Sequence, residues 1–141
     1  MRILIVEDNA VLALLIQDTL LEAGHTIVGN VASQSEAIAL LERGDPELVL
    51  LDLRLAEGSG TAFLRHVARR REVSCLLISA DSGAARDLAG HCLGVLHKPF
   101  DMPTLVNAIT AVESFIRDDP GKAPVPRELE LFARPPAAVK R

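Results

Sequence analysis

Five side chains could do chemistry together: Glu7, Asp8, Asp52, Ser79 and Lys98. Each stands at or just after the end of a short apolar run: ILIVED at 3–8, LVLLD at 48–52, CLLIS at 75–79 and LHKPF at 96–100. Three carboxylates brought close would repel and raise one another's pKa, and a hard divalent cation removes that cost. Mg²⁺ suits such a set, because it takes oxygen ligands, keeps several waters and needs only one or two carboxylates beside a phosphate oxygen. Zinc fits poorly, since no His or Cys adjoins these acids. Asp8 and Asp52 are the expected direct ligands, with Glu7 acting partly through water. Asp52 has a second capacity, as a carboxylate nucleophile that forms an acyl phosphate. The Lys98 ammonium would then offset charge on the transferred group, and the Ser79 hydroxyl would donate to one of its oxygens.

The elements that must position these residues read as alternating strands and helices. Strands are expected at 2–6, 26–31, 47–52, 74–79 and 93–97, and helices at 10–23, 34–43, 60–70, 84–91 and 102–117. Runs of Val, Ile and Leu without polar alternation mark a parallel sheet covered on both faces. Right-handed crossovers make strand order 2-1-3-4-5 the economical arrangement for a doubly wound α/β fold. Gly29 and Asn30 dilute the second strand, as an edge position would allow. Ligands of such sheets bind beyond the strands' carboxyl ends where the strand order reverses, here between the first and third strands. Asp8 or Asn9 can cap the first helix, Gly24 suits its C′ position, and Asp101 can cap the last. SGAARDLAG, bracketed by Gly83 and Gly90, predicts the weakest helix. An X-Pro bond that can be cis follows Lys98.

Across about residues 1–117 the chain resembles the receiver domain of two-component response regulators. The resemblance is carried by ED at 7–8, LLDLRL around Asp52, ISA at 78–80 and HKPF at 97–100, in that order. It implies a flavodoxin-like (βα)₅ fold and Mg²⁺-dependent transfer of a phosphoryl group from a phosphohistidine to Asp52. The backbone carbonyl of Arg54 would complete the protein ligands of the ion. Ser79 and Lys98 would report phosphorylation to the face formed by the fourth helix, fifth strand and fifth helix. The implied donors are a sensor histidine kinase or a histidine phosphotransfer protein. Three departures stand out. Val95 occupies a position often aromatic in the family, the span from Ser79 to Lys98 is short, and Leu55 replaces a more usual turn residue.

Around this site, Arg54 and Asp81 each lie two residues beyond a site residue and are candidates to gate water, against the alternative of two solvated loop charges. Leu14 and Leu21, about two turns apart on the first helix, are candidate partner contacts, with a dimer face or scattered surface leucines as alternatives. Arg65, His66, Arg69, Arg70 and Arg71 read as a solvated helix end that complements the helix dipole. With a net charge of −4, they give no case for direct DNA binding.

The remaining composition narrows the class. A chain of 141 residues with 49% apolar content suits one domain with an ordinary core. No stretch approaches the roughly 20 apolar residues of a membrane span. MRILIVED meets carboxylates too early for a secretory signal, and Cys75 and Cys92 lack metal spacing, so reduced thiols in a cytoplasm are expected. Five of the eight prolines fall in 118–141, which predicts a mobile or docked tail too short for an output domain. RELELFA at 127–133 is its one stretch able to form a helix or strand, with Leu129, Leu131 and Phe132 as anchors. The expected function is a stand-alone receiver, monomeric or weakly dimeric, that signals by contact with a downstream protein or relays phosphate. A phosphorylation-independent interaction module is the alternative. A phosphatase of the haloacid-dehalogenase type is disfavoured, because Arg54 stands where its second acid would be.

Overall fold

The computed structural model describes residues 1–54, 60–70, 72–119 and 124–132. Leu55, Arg71 and the stretch 133–141 therefore lie outside the described residues. The elements run β1 (Arg2–Val6), α1 (Ala10–Glu22), β2 (Thr26–Val31), α2 (Gln34–Arg43), β3 (Leu48–Asp52), α3 (Gly60–Ala68), β4 (Ser74–Ser79), α4 (Ser82–Arg86), β5 (Gly94–His97), α5 (Met102–Ile116) and β6 (Leu129–Leu131). The first five strands are parallel in the expected order, β2-β1-β3-β4-β5, with β2 at an edge.

Alternation along each strand divides the core in two, because successive side chains point to opposite faces. Ile3, Ile5, Leu48, Leu50, Leu76, Ile78 and Leu96 meet Ile16 and Leu20 of α1 and Leu105, Ile109 and Val112 of α5. Leu4, Val6, Val49, Leu51, Leu77 and Val95 meet Ala37 and Leu41 of α2, Phe63, Leu64 and Val67 of α3, and Ala85 of α4. Both faces being covered, the inner strands need no polar side, which is why β1, β3 and β4 are dominated by Val, Ile and Leu.

Helix ends follow local chemistry. Asn9 caps α1, accepting from Leu12 N–H, and Asp101 caps α5, accepting from Thr104 N–H. Gly24 terminates α1 with φ +96°, a left-handed geometry that a side chain would strain. At the opposite side of the sheet from β5, Asn30 ties edge strand β2 to α1, donating to Ala13 O and Gln17 Oε1, both at 3.0 Å.

One departure from the sequence expectation, and one alternative that the structure decides, concern the same region. The fourth helix, expected at 84–91, is instead a short α4 from Ser82 to Arg86 followed by a separate 3₁₀ turn at Ala89–His91. Asp81 sets its start by accepting from Ala84 N–H, and i→i−3 hydrogen bonds from Leu88 and His91 tighten the remainder. Within RELELFA, Leu129–Leu131 forms a sixth strand, antiparallel to β5, so this part of the proline-rich segment is docked on the domain. No helix among the described residues is long and apolar enough to cross a membrane.

Candidate metal and phosphoryl site

β1 and β3 are neighbours, with Val6 opposite Leu51, so Glu7, Asp8 and Asp52 emerge together at the carboxyl ends of two adjacent inner strands. Carboxylate oxygens of the three lie within 4.8 Å of one another. Glu7 is 2% exposed and Asp52 5%. On the far side of β3, Asp52 is paired with Ile78, which puts Ser79 one residue further along β4, and Ser79 in turn is opposite His97. Lys98 follows directly. Its Nζ stands 3.6 Å from Glu7 Oε1 and 3.7 Å from Asp52 Oδ2. The Lys98–Pro99 peptide is cis.

Backbone hydrogen bonds fix the loops that carry these groups. Glu7 N–H donates to Val31 O (3.0 Å), Leu53 N–H to Ile78 O (3.2 Å) and Lys98 N–H to Ser79 O (3.0 Å). Asp52 Oδ1 accepts from Arg54 N–H at 3.0 Å, which orients the carboxylate and leaves Oδ2 towards the lysine. The Ser79 hydroxyl accepts from Asp81 N–H at 2.9 Å and donates to Asp81 O at 3.2 Å.

The electrostatics are those of a site short of positive charge. The Glu7 carboxyl is pushed up to about 7, first by burial and then by the Asp52 carboxyl beside it, against the pull of Asn9 N–H and Lys98. Glu7 Oε2 accepts from Asn9 N–H at 3.1 Å, while the buried Oε1 accepts no hydrogen bond. A buried carboxylate oxygen left without a donor costs free energy. An oxygen-only donor set with one unsatisfied buried oxygen fits a hard divalent cation such as Mg²⁺.

Asp81 and Arg54, weighed as water gates against two solvated loop charges, form no ion pair among the described residues. The Asp81 carboxylate is committed to the α4 cap and the Arg54 side chain is exposed. Val95 is fully buried in mid-β5, in the cluster that includes Ala85 and that Phe132 packs against. Leu14 and Leu21 are exposed on α1, and Val11 and Leu15 extend the same apolar surface. The role of Asn9 in holding Glu7 was not foreseen, because the burial of Glu7 is set by strand alignment rather than by local sequence. The tie from Glu130 to Arg86 and His97 was also missed.

A family model for the response regulator receiver domain matches residues 3–110, and the chain belongs to that family. The transcriptional regulatory protein PdtaR of Mycobacterium tuberculosis is 30% identical over 122 residues, which is 83% of this chain but 58% of PdtaR. The chemotaxis protein CheY of Bacillus subtilis is 26% identical over 77% of this chain and 93% of its own length. Among solved structures, the non-phosphorylated HemR receiver domain from Leptospira biflexa superposes with a TM-score of 0.72 at 27% identity, covering 80% of this chain and 94% of that domain. The chain thus spans little more than half of PdtaR and nearly all of CheY.

Proposed function

We propose that this member of the receiver family accepts a phosphoryl group on Asp52 from a phosphohistidine of a sensor kinase or phosphotransfer protein. The observation that carries the reading is the Asp52 carboxylate, held at the end of a central strand with Lys98 Nζ 3.7 Å from Oδ2 and two further acids within 4.8 Å. Asp52 Oδ2 attacks phosphorus, the P–N bond to the donor imidazole breaks, and the imidazole departs carrying its electron pair. Lys98 offsets charge on the incoming phosphoryl oxygens. Ser79 exchanges its donation to Asp81 O for one to a phosphoryl oxygen, which loosens the turn that starts α4. Asp8, Asp52 and the Arg54 carbonyl would hold Mg²⁺, with Glu7 acting partly through water, and the bound ion would neutralise developing charge on the transferred group.

The exposed apolar surface of α1, with Leu14 and Leu21, is the proposed docking face for the donor protein. Output by protein contact, from a cytoplasmic chain without direct DNA binding, is part of the same proposal. Arg54 beside the site is proposed to tune water access.

Intact-mass measurement after incubation with acetyl phosphate and Mg²⁺ tests the reading. One phosphoryl adduct is expected, lost in Asp52→Asn and with EDTA. An adduct that persists in Asp52→Asn would overturn the assignment of the acceptor. No adduct from acetyl phosphate or from a panel of phosphorylated kinases would favour an interaction module that works without phosphorylation.

A further inference from the structure

The outer edge of β5, the strand that leads into Lys98, is covered by β6. Leu129, Glu130 and Leu131 are opposite Leu96, Val95 and Gly94. His97 N–H donates to Glu128 O at 2.8 Å and Phe132 N–H to Leu93 O at 2.7 Å, so the pairing extends one residue past each end of β6. Side chains alternate as strand geometry demands. Leu129, 6% exposed, and Leu131 pack on the α1/α5 side of the core, and Phe132 packs on the other side. Between them Glu130 reaches Arg86 Nε of α4 at 3.2 Å and His97 Nε2 at 3.3 Å.

Gly94 makes the close approach possible. A Cβ there would overlap Glu130 O and stand 3.0 Å from the Leu131 Cα, both backbone atoms that cannot swing aside. A glycine inside a strand marks such approaches. The family match ends at residue 110, past the end of the fifth parallel strand, so β6 is an addition to a complete receiver sheet. It is also lightly held. Three paired residues sit at the short limit for a strand, and the Arg86–Glu130 pair is exposed, at 61% and 34%.

A sheet edge flanked by apolar surface on both faces, with two basic side chains at one position, has the parts by which sheets take up extended peptides. We propose that the β5 edge, with Gly94, Arg86 and His97, is a strand-acceptor site for an extended partner segment of alternating apolar and acidic residues. Residues 128–132 are its tethered occupant, which the partner strand displaces. Apolar residues in the partner fill the places of Leu129 and Leu131, and its acid meets Arg86 and His97. The tether gives the resident strand a high local concentration, so only a partner with added contacts displaces it. The proposal does not depend on Asp52 being phosphorylated.

The test uses the full chain with Leu129→Asp and Leu131→Asp, which unseat β6, and a fluorescent peptide of residues 124–132 as the probe strand. Saturable binding to the unseated chain is expected, at least about tenfold weaker to wild type, and absent when Gly94→Val is added to the unseated chain. Circular dichroism and melting curves check that each variant folds, and Glu130→Arg serves as the unseating change if the double variant does not. No binding to an unseated folded chain, or binding indifferent to Gly94→Val, would overturn the proposal. A wild-type dimer formed by exchange of tails, and lost in Gly94→Val, would assign the edge to a second copy and overturn the partner assignment. The phosphoryl-adduct measurement is independent of all these outcomes, so either reading can fail alone.

Discussion

Replacing Glu7 by Gln should stabilise the metal-free protein at neutral and alkaline pH and leave it nearly unchanged in acid. The reasoning starts from a carboxyl raised from 4.5 to about 7 by burial and by Asp52. Between those values the folded state keeps a proton that the unfolded chain has released. Stability is therefore full below about pH 4.5, falls as pH rises through about 7, and stays low above it. A rise of that size corresponds to a stability change on the order of 2–3 kcal/mol. The neutral amide keeps the shape and removes the titration. Urea unfolding in EDTA from about pH 4.5 to about pH 8 should show the Glu7→Gln and wild-type curves diverging, by about 2 kcal/mol in favour of the variant at the alkaline end. Millimolar Mg²⁺ should restore wild type by ligand linkage and help the variant less, because one donor is gone. A stability difference that stays flat across the pH range would refute the argument that burial and Asp52 keep Glu7 protonated.

Other outcomes follow from single contacts. Phe63→Ala should cost about 3–5 kcal/mol in urea unfolding, since the ring is fully buried between α3 and the sheet. Asp101→Ala should lower the melting temperature through loss of the 2.8 Å cap on Thr104 N–H. Leu14→Ser should slow transfer from a phosphorylated kinase about fivefold while leaving the reaction with acetyl phosphate unchanged. Equal slowing of both reactions would place the effect in the site rather than at the docking face.

The parallel sheet was legible because β1, β3 and β4 are apolar runs dominated by Val, Ile and Leu and bounded by turn residues, with only β2 diluted by Gly29 and Asn30, and the site because its polar groups terminate those runs. Asn9 and Asp8 competed on paper for the cap of α1. The structure gives it to Asn9, because Asp8 is drawn into the acidic cluster. The fourth helix was misjudged in extent, since propensity does not reveal that Asp81 starts it early and that the chain tightens into a 3₁₀ turn before Cys92. RELELFA marked where β6 could form, but LEL alone did not decide between helix and strand, because a three-residue strand has no stability apart from the edge it pairs with. The deciding trace was the glycine at position 94. Burial of Glu7 was also invisible, being a product of how β1 and β3 align.

That alignment has a consequence for how this protein tolerates change. The same registers that stack Ile5 on Leu50 and Val6 on Leu51 also set where Glu7 and Asp52 end up. A slip of one residue in either strand would turn every leucine to the wrong layer and move the acid by roughly 3 Å at once. Greasy packing thus acts as the ruler for the polar site. A substitution deep in the sheet that leaves the protein folded but lets β3 shift by a fraction of a residue step would be recorded as a chemical defect. Transplanting the five reactive side chains onto another scaffold would fail unless the spacing of its strands were transplanted with them.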